Sequence, residues 1–370
     1  MPKIAIIGNG SWGTALGIIL ARKGIYVRLW TRDQEKAKKL NEVRENVTHL
    51  PGFRFPARLS VTGSLEEAMN TTEMVILAVP AQSMRHNIRE VKNYLNESKL
   101  IVSATKGLEI GSGKRMSEVI AEEIDPRFHP NICVLSGPNI AREAAQGLLS
   151  ATVIATPNVA MAERAQRLIN SNTFYVFTST DVIGTELGGA LKNVIALGAG
   201  ITDGFGYGNN AKAALIIRGL SEIILLGTRL GANPLTFIGL SALGDLLVTC
   251  FSPLSRNYSL GKELTNGRPS KEILNTTNHV AEGVTTAAAA LELGRKVGVN
   301  LPLTEQIYKV IYEGLDVREA ATKLVEYPVE REPLEITKLL RLIVQYVNAR
   351  WQPQSVDPLS LWEEDSLPQS

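Results

Sequence analysis

The segment KIAIIGNGSWGTALG (residues 3–17) constrains the fold more than any other stretch of this 370-residue chain. A short apolar run rich in isoleucine leads into Gly8, Gly10 and Gly13, spaced G-x-G-x-x-G, at the opening of a helical pattern. Glycine-rich turns are common, and the pattern alone is equally compatible with a tight βα turn. Placed after a buried strand, before a helix, and ahead of a second strand candidate ending near residue 30, it predicts a dinucleotide-binding βαβ unit. In such a unit Gly8 allows the turn, Gly10 lets the backbone approach a pyrophosphate, and Gly13 lets helix and strand pack closely. The helix N-terminus then offers free N–H groups and the positive end of its dipole to the anion.

The strand-helix rhythm continues. KIAII (3–7), YVRLW (26–30), MVILAV (74–79), LIVSAT (100–105), ICVLS (132–136), ATVIA (151–155) and FYVF (174–177) read as strands. Helical patterns such as SMRHNIREVKNYL (83–95) and VAMAERAQRLI (159–169) separate most of them. Continuous apolar strands alternating with helices predict a parallel sheet covered on both faces. After TSTD (178–181) the character changes: long apolar-periodic stretches follow, broken by TDGFGYGNN (202–210), GANP (231–234) and TNGRPSKE (265–272). The expected organisation is an α/β, Rossmann-type dinucleotide-binding domain over residues 1–180, an all-α substrate and catalytic domain over 181–345, and a flexible, proline- and acid-rich tail over 346–370.

Composition removes several classes of function. The formal net charge is +2, so no global field favours nucleic acid or an anionic membrane, and anionic ligands must be held by local lysines and arginines. Cys133 and Cys250 lie far apart in apolar runs and read as buried hydrophobes in a reducing compartment. The four histidines, His49, His86, His129 and His279, have no metal-ligand spacing, so no metal site is expected. The N-terminus enters a strand at once and lacks the layout of a secretory signal. No uninterrupted apolar run reaches the ~20 residues that span a bilayer. The expected location is the cytoplasm.

Polar residues recur where ligands of such folds sit. At the end of the second strand, where NAD binders carry an acid and NADP binders an arginine, the chain reads LWTRD, with Arg32 in place. Arg32 is suited to a 2′-phosphate, or to stacking on adenine with either cofactor, or to an ordinary surface role. NADPH is the preferred reading, with NADH as the other. SATKGLE (103–109) and LSGPNIARE (135–143) place Lys106, and Gly137 with Asn139, just past the carboxyl ends of strands. Each also has a plainer reading, Lys106 as a loop lysine and Asn139 as a turn or cap residue. Asp245 lies in the apolar LGDLLVTC with Thr249 four residues on, poised to cap a helix, pair a cation or serve the site. Ser255, Arg256 and Asn257 form a short polar loop that suits a phosphate, and Glu282 stands beside a glycine. Most unusual is Lys192, at the centre of LGGALKNVIALGAGI (187–201): its helical neighbours Gly188, Gly189, Ile195 and Ala196 offer no counter-charge, and lysine is rarely buried without a partner.

Together these motifs resemble the bacterial-type NAD(P)-dependent glycerol-3-phosphate dehydrogenases. The resemblance covers roughly residues 2–330 and is carried in order by GNGSWGTALG, NVTHLPGFRFP, LAVPAQSMR, SATKGLE, LSGPNIAREAAQGLLSATVIA, GTELGGALKNVIALGAGITDGFGYGNNAKAALIIRG, GLSALGDLLVTCFSPLSRNYSLG and VAEGVTT. It implies reduction of dihydroxyacetone phosphate to sn-glycerol 3-phosphate for glycerophospholipid synthesis, a helical C-terminal domain like that of 6-phosphogluconate dehydrogenase, and a homodimer. By resemblance Lys192 is the proton donor and acceptor. Lys106, Gly137, Asn139, Asp245, Ser255, Arg256 and Asn257 match substrate positions. Ser11, Trp12, Arg32, Lys106, Ala141, Arg256, Val280 and Glu282 match cofactor contacts, beside Gly8, Gly10 and Gly13. The segment beyond residue 330 extends past the family's usual end, with one more helix expected at 332–347.

Two other readings stay open at this level. A related two-domain dehydrogenase, of ketopantoate reductase or 3-hydroxyacid dehydrogenase type, shares the glycine loop and a helix lysine but has no need of Lys106 with the Ser255–Asn257 loop. An inactive nucleotide sensor needs only the N-terminal half. A His–Asp proton relay is disfavoured because no histidine is expected in the site.

Overall fold

Alternation within β1 (Lys3–Ile7) sets up the architecture: Ile4 and Ile6 point to one side and Ala5 and Ile7 to the other, and all four are fully buried. A strand buried on both faces needs helices on both faces. In the computed structural model, which describes residues 2–268, 272–273 and 281–325, β1 is joined by β2 (Tyr26–Trp30), β3 (Leu59–Thr62), β4 (Met74–Leu77), β5 (Leu100–Ser103), β6 (Ile132–Ser136), β7 (Ser150–Ala155) and β8 (Phe174–Ser179). They form one sheet in the order β3-β2-β1-β4-β5-β6-β7-β8. The covering helices are α1 (Ser11–Arg22), α2 (Gln34–Val43), α3 (Leu65–Met69), α4 (Met84–Val91), α5 (Met116–Glu123), α6 (Ala141–Gln146) and α7 (Val159–Ile169). Ile4 and Ile6 pack with Leu16 and Leu20 of α1; Ala5 and Ile7 pack with Met84 and Ile88 of α4 and Val119 of α5. The chain leaves β1 towards β2 and returns on β1's other side as β4, which opens a crevice at the carboxyl ends of these two strands.

From Val182 every regular element among the described residues is helical: α8 (Val182–Gly204), α9 (Gly208–Arg229), α10 (Asp245–Phe251), α11 (Arg256–Leu264), α12 (Glu282–Val297), α13 (Pro302–Tyr308) and α14 (Val317–Val325), with short 3-10 and π turns between some of them. Helix α8 is the axis of this part and is buried without a break from Gly184 to Thr202. Small residues make that possible. A Cβ on Gly200 would sit 2.0 Å from the Tyr258 carbonyl oxygen, and one on Gly261 would sit 2.0 Å from that of Leu197, so α8 and α11 pack backbone to backbone.

Three features depart from the sequence reading. The sheet is not wholly parallel, since β6 and β7 run antiparallel. Their connection holds only the six-residue α6, about 9 Å long, too short to carry the chain back along the sheet for a parallel return. Strand β3 was absent from the strand candidates, because its LSVT is too short to show a pattern and is defined by pairing with β2. The break expected over 202–210 is narrower, since α8 continues to Gly204 and α9 begins at Gly208. The expected helix at 332–347 and the tail at 346–370 lie outside the described residues. Cys133 and Cys250 are free and buried, as expected. No helix of the described residues is long and apolar enough to cross a membrane, and they contain no metal-ligand cluster.

Candidate active site

A cleft of about 670 Å³ opens at the carboxyl ends of β1 and β4 and runs along α8. Its first end is the glycine loop. Gly8 has φ +112°, and a Cβ there would lie 2.5 Å from the Ala78 carbonyl oxygen, so only glycine fits both the conformation and the contact with the chain just past β4. Gly10 has nothing within 4 Å of where its Cβ would be and lines the cleft, whereas Gly13 lies behind the wall, against Gly8. No side chain caps α1 and no acid stands in its first turn. Asn9 Nδ2 and the Trp12 indole Nε1, both in residues lining the cleft, are buried without a hydrogen-bond partner. Free helix N–H groups, an open glycine and two orphaned donors fit the pyrophosphate of a dinucleotide. Ser11 donates to the His49 carbonyl at 2.7 Å, and His49 itself lines this end. The expectation that no histidine stands in the site is therefore corrected. Loop 46–50 is folded back onto α1, where Asn46 donates to the Asn9 carbonyl and the Thr14 hydroxyl.

Arg32 stands on the same wall, past the end of β2. Its Nη2 donates to Asn87 Oδ1 at 2.9 Å and to Glu90 Oε2 at 2.7 Å, and its guanidinium lies 5.2 Å from the Trp30 ring centroid. Ala141, the first residue of α6, and Asn139 complete this side. Asn139 is not the cap of α6; it donates to the Ala151 carbonyl at 2.9 Å and so ties its loop to β7.

At the other end the buried lysine has a partner that no neighbouring helical position supplies. Lys192, 7% exposed, donates to Asp245 Oδ1 and to the Thr249 hydroxyl, the latter at 2.6 Å. Asp245 is fully buried, and its Oδ2 accepts from Lys106 at 2.6 Å. Lys106 also donates to the Gly137 carbonyl at 2.9 Å, which gives Gly137 its place behind the cleft. Thr249 Oγ1 in turn donates to the Asp245 backbone carbonyl at 2.6 Å. Two lysines thus share one carboxylate, an arrangement with one surplus positive charge. Gly189 permits it: a Cβ there would lie 2.3 Å from Ser136 Oγ and 3.5 Å from Lys106 Cγ. Burial brings the Lys192 ammonium down to about 8, the Asp245 carboxylate opposes that shift, and Lys106 reinforces it.

Ser255 caps α11, accepting from the Tyr258 N–H at 3.3 Å, and with Arg256 it lines the cleft. Asn257 has a structural use that the polar-loop reading did not foresee. Its Nδ2 donates to Asn193 Oδ1 and its Oδ1 accepts from the Gly283 N–H, both at 2.9 Å, which joins α8, α11 and the start of α12. Glu282 reaches across to the sheet side, where Oε1 accepts from the Ala81 N–H at 3.2 Å; burial pushes this carboxyl up to about 7. Val280 lies outside the described residues.

The structure therefore brings Gly8, Gly10, Ser11, Trp12, Arg32, Lys106, Asn139, Ala141, Lys192, Ser255, Arg256, Asn257 and Glu282 to one cleft, with Gly13, Gly137 and Asp245 just behind it. Thr249 and Asn193 were not among the expected site residues, although both line the cleft. Asn193 carried a signal, a second strongly polar residue in a buried helix. Asn87 and Glu90 carried none, since they sit on an ordinary amphipathic helix.

Comparison with known proteins agrees with this geometry. Residues 3–162 match the family described as NAD-dependent glycerol-3-phosphate dehydrogenase N-terminus, and residues 181–322 match the corresponding C-terminus. A glycerol-3-phosphate dehydrogenase (NAD(P)+) of Dehalococcoides mccartyi is 52% identical over 326 residues, covering 88% of this chain and 91% of the relative. The crystal structure of glycerol-3-phosphate dehydrogenase from Coxiella burnetii superimposes with a TM-score of 0.83 at 34% identity, over 88% of this chain and 99% of that one. A ketopantoate reductase from Ralstonia eutropha, at 15% identity and a TM-score of 0.55 over 88% of this chain and 100% of that one, shares the fold alone. The chain belongs to the NAD(P)-dependent glycerol-3-phosphate dehydrogenase family of oxidoreductases.

Proposed function

We propose that this enzyme reduces dihydroxyacetone phosphate to sn-glycerol 3-phosphate, reversibly, with Lys192 as the group that gives and takes the proton. The observation that carries the reading is the Lys192–Asp245–Lys106 cluster set in the cleft beside a dinucleotide-type glycine loop. When bound, NADPH or NADH supplies the hydride that converts the carbonyl carbon to an alcohol carbon. The protein's task is then to stabilise negative charge on the carbonyl oxygen and to deliver one proton to it.

Lys192 suits that task. An ammonium has three donors; Asp245 and Thr249 take two of them, which leaves the third for a substrate oxygen. A proton affinity near 8 keeps the side chain mostly charged at neutral pH and close enough to neutral to give its proton up. After transfer the amine recovers a proton from solvent; in the oxidative direction the neutral amine accepts one from the alcohol. Lys106 adds a fixed positive charge beside the same carboxylate. Asp245, buried between the lysines, orients both.

The substrate phosphate is assigned to Arg256 and to the backbone N–H groups in the first turn of α11, which Ser255 opens. Binding energy gathered there, away from the reacting carbon, holds the carbonyl in line. Asn257 supports this loop through Asn193 and Gly283. The Rossmann-type region at 1–180 supplies the cofactor half, and the domain expected over 181–345, whose described elements are helical, the substrate half. The same reading places the enzyme in the cytoplasm as a homodimer that supplies glycerophospholipid synthesis, with NADPH preferred through Arg32. Oxidation of NADPH and NADH is to be followed with dihydroxyacetone phosphate and with unphosphorylated dihydroxyacetone. Loss of the charged phosphate contacts is expected to lower kcat/KM by at least about a hundredfold. Equal rates with the two substrates would remove the phosphate assignment.

A further inference from the structure

The wall past β2 departs from both usual solutions for the adenosine ribose. NAD sites offer a carboxylate to the 2′-hydroxyl, whereas NADP sites offer an arginine to the 2′-phosphate. Here the chain supplies Arg32 at the strand end and brings a carboxylate to it from another element. Glu90, on α4, accepts from Arg32 Nη2 at 2.7 Å, and Asn87, one turn earlier, accepts from the same nitrogen at 2.9 Å. Trp30 lies beneath the guanidinium. The pair is half in water, with side-chain exposures of 47% for Arg32 and 33% for Glu90, and His86 stands 3.6 Å from the second Glu90 oxygen. Arg32 and Asn87 line the cleft; Glu90 lies behind them.

We infer that Glu90 sets cofactor specificity, acting through Arg32: it holds the guanidinium in an ion pair that weakens selection for a 2′-phosphate and narrows the gap between NADPH and NADH. The inference rests on the reading that Arg32 faces the adenosine 2′ position. A phosphate monoester carries a charge of about −1.5 to −2, and arginine binds it best with two parallel N–H groups. With Nη2 engaged by Glu90 and Asn87, a phosphate must either take what remains of the guanidinium or displace the carboxylate. A carboxylate fixed behind the arginine also repels the dianion. Neither effect touches a 2′-hydroxyl, which is neutral. Glu90 is therefore a positioning residue whose influence falls on one cofactor and not on the other.

The test is cofactor binding without substrate, followed by calorimetry or by nucleotide fluorescence, for the wild type, E90Q, R32A and the double variant. An exposed pair of this kind and the accompanying repulsion amount to about a three- to tenfold effect. E90Q is therefore expected to tighten NADPH binding by that factor and to change NADH binding by less than about twofold; once Arg32 is alanine the tightening of NADPH should shrink to the small part that direct repulsion supplies. If R32A weakens NADPH selectively but E90Q leaves the NADPH to NADH ratio of Kd values unchanged, the role of Glu90 is overturned while the Arg32 reading stands. If R32A weakens both cofactors equally, the Arg32 reading fails and the inference goes with it.

Discussion

Replacing Asp245 with asparagine probes the catalytic cluster most directly, because the change keeps the shape of the side chain and removes its charge. Asp245 is fully buried and each of its oxygens serves one lysine, Oδ1 for Lys192 and Oδ2 for Lys106. The proton affinity of Lys192 is a balance in which burial and Lys106 lower it while Asp245 raises it. D245N deletes the raising contribution and leaves the lowering ones. Breaking one partner out of a buried ion pair costs about 3–5 kcal/mol. If roughly half of that appears as lost proton affinity on Lys192, at about 1.4 kcal/mol per pH unit, the shift is about one to two units downward. The assay is the pH dependence of kcat/KM in both directions. Reduction needs the protonated lysine and is expected to fall as pH rises through about 8 in the wild type. In D245N that fall should begin about one to two units lower, and the acid limb of glycerol 3-phosphate oxidation should move the same way. A lower plateau with an unmoved break would show that Asp245 only shapes the site, and would refute the electrostatic argument.

Two further outcomes follow from the same contacts. Lys192→Ala should lower kcat by about 10²–10⁴ while NADPH affinity, read by fluorescence, changes only a few-fold; near-normal turnover would end the acid/base assignment. Glu222, on α9, accepts from the N–H groups of Leu303 and Thr304 and from the Thr304 hydroxyl, and so holds the start of α13. Burial pushes its carboxyl from 4.5 up to about 7. Since the folded value is the raised one, its contribution is full below about pH 4.5, declines as pH rises, and is lost above about 7, up to roughly 3 kcal/mol. E222Q, which stays neutral, should show a flatter denaturation midpoint than the wild type between about pH 5 and 8, and an identical slope would count against this account.

Much of the fold was legible because its signals are local. The G-x-G-x-x-G loop encodes a turn that needs φ above zero at Gly8 and leaves Gly10 bare, and β1 announces burial on both faces by an unbroken apolar run. Helix α7 was read to its ends, since Asn158 caps it and its apolar residues keep the helical period. Strand β3 and the antiparallel β6–β7 pair were not legible, because strand direction and pairing are settled by neighbours far along the chain. Legibility of the site divided along the same line. Lys192 stood out as a cation in an apolar, glycine-rich helix, and Asp245 as an acid in another apolar pattern. That the two meet is a matter of contacts 53 residues apart, and Lys106 joins from 139 residues before Asp245.

By itself, then, the sequence determined a nucleotide-binding α/β half, a helical half, and the residue types available for chemistry, since periodicity, glycine placement and side-chain charge are properties of the chain. Tertiary structure alone decided what those residues do to one another. A lysine's proton affinity depends on how much water is removed from it and which charges replace that water, and both are created when α8 and the loop after β5 close on Asp245 at the start of α10. The same holds for Arg32, whose partner Glu90 arrives from α4, and for Asn257, which packing commits to Asn193 and Gly283.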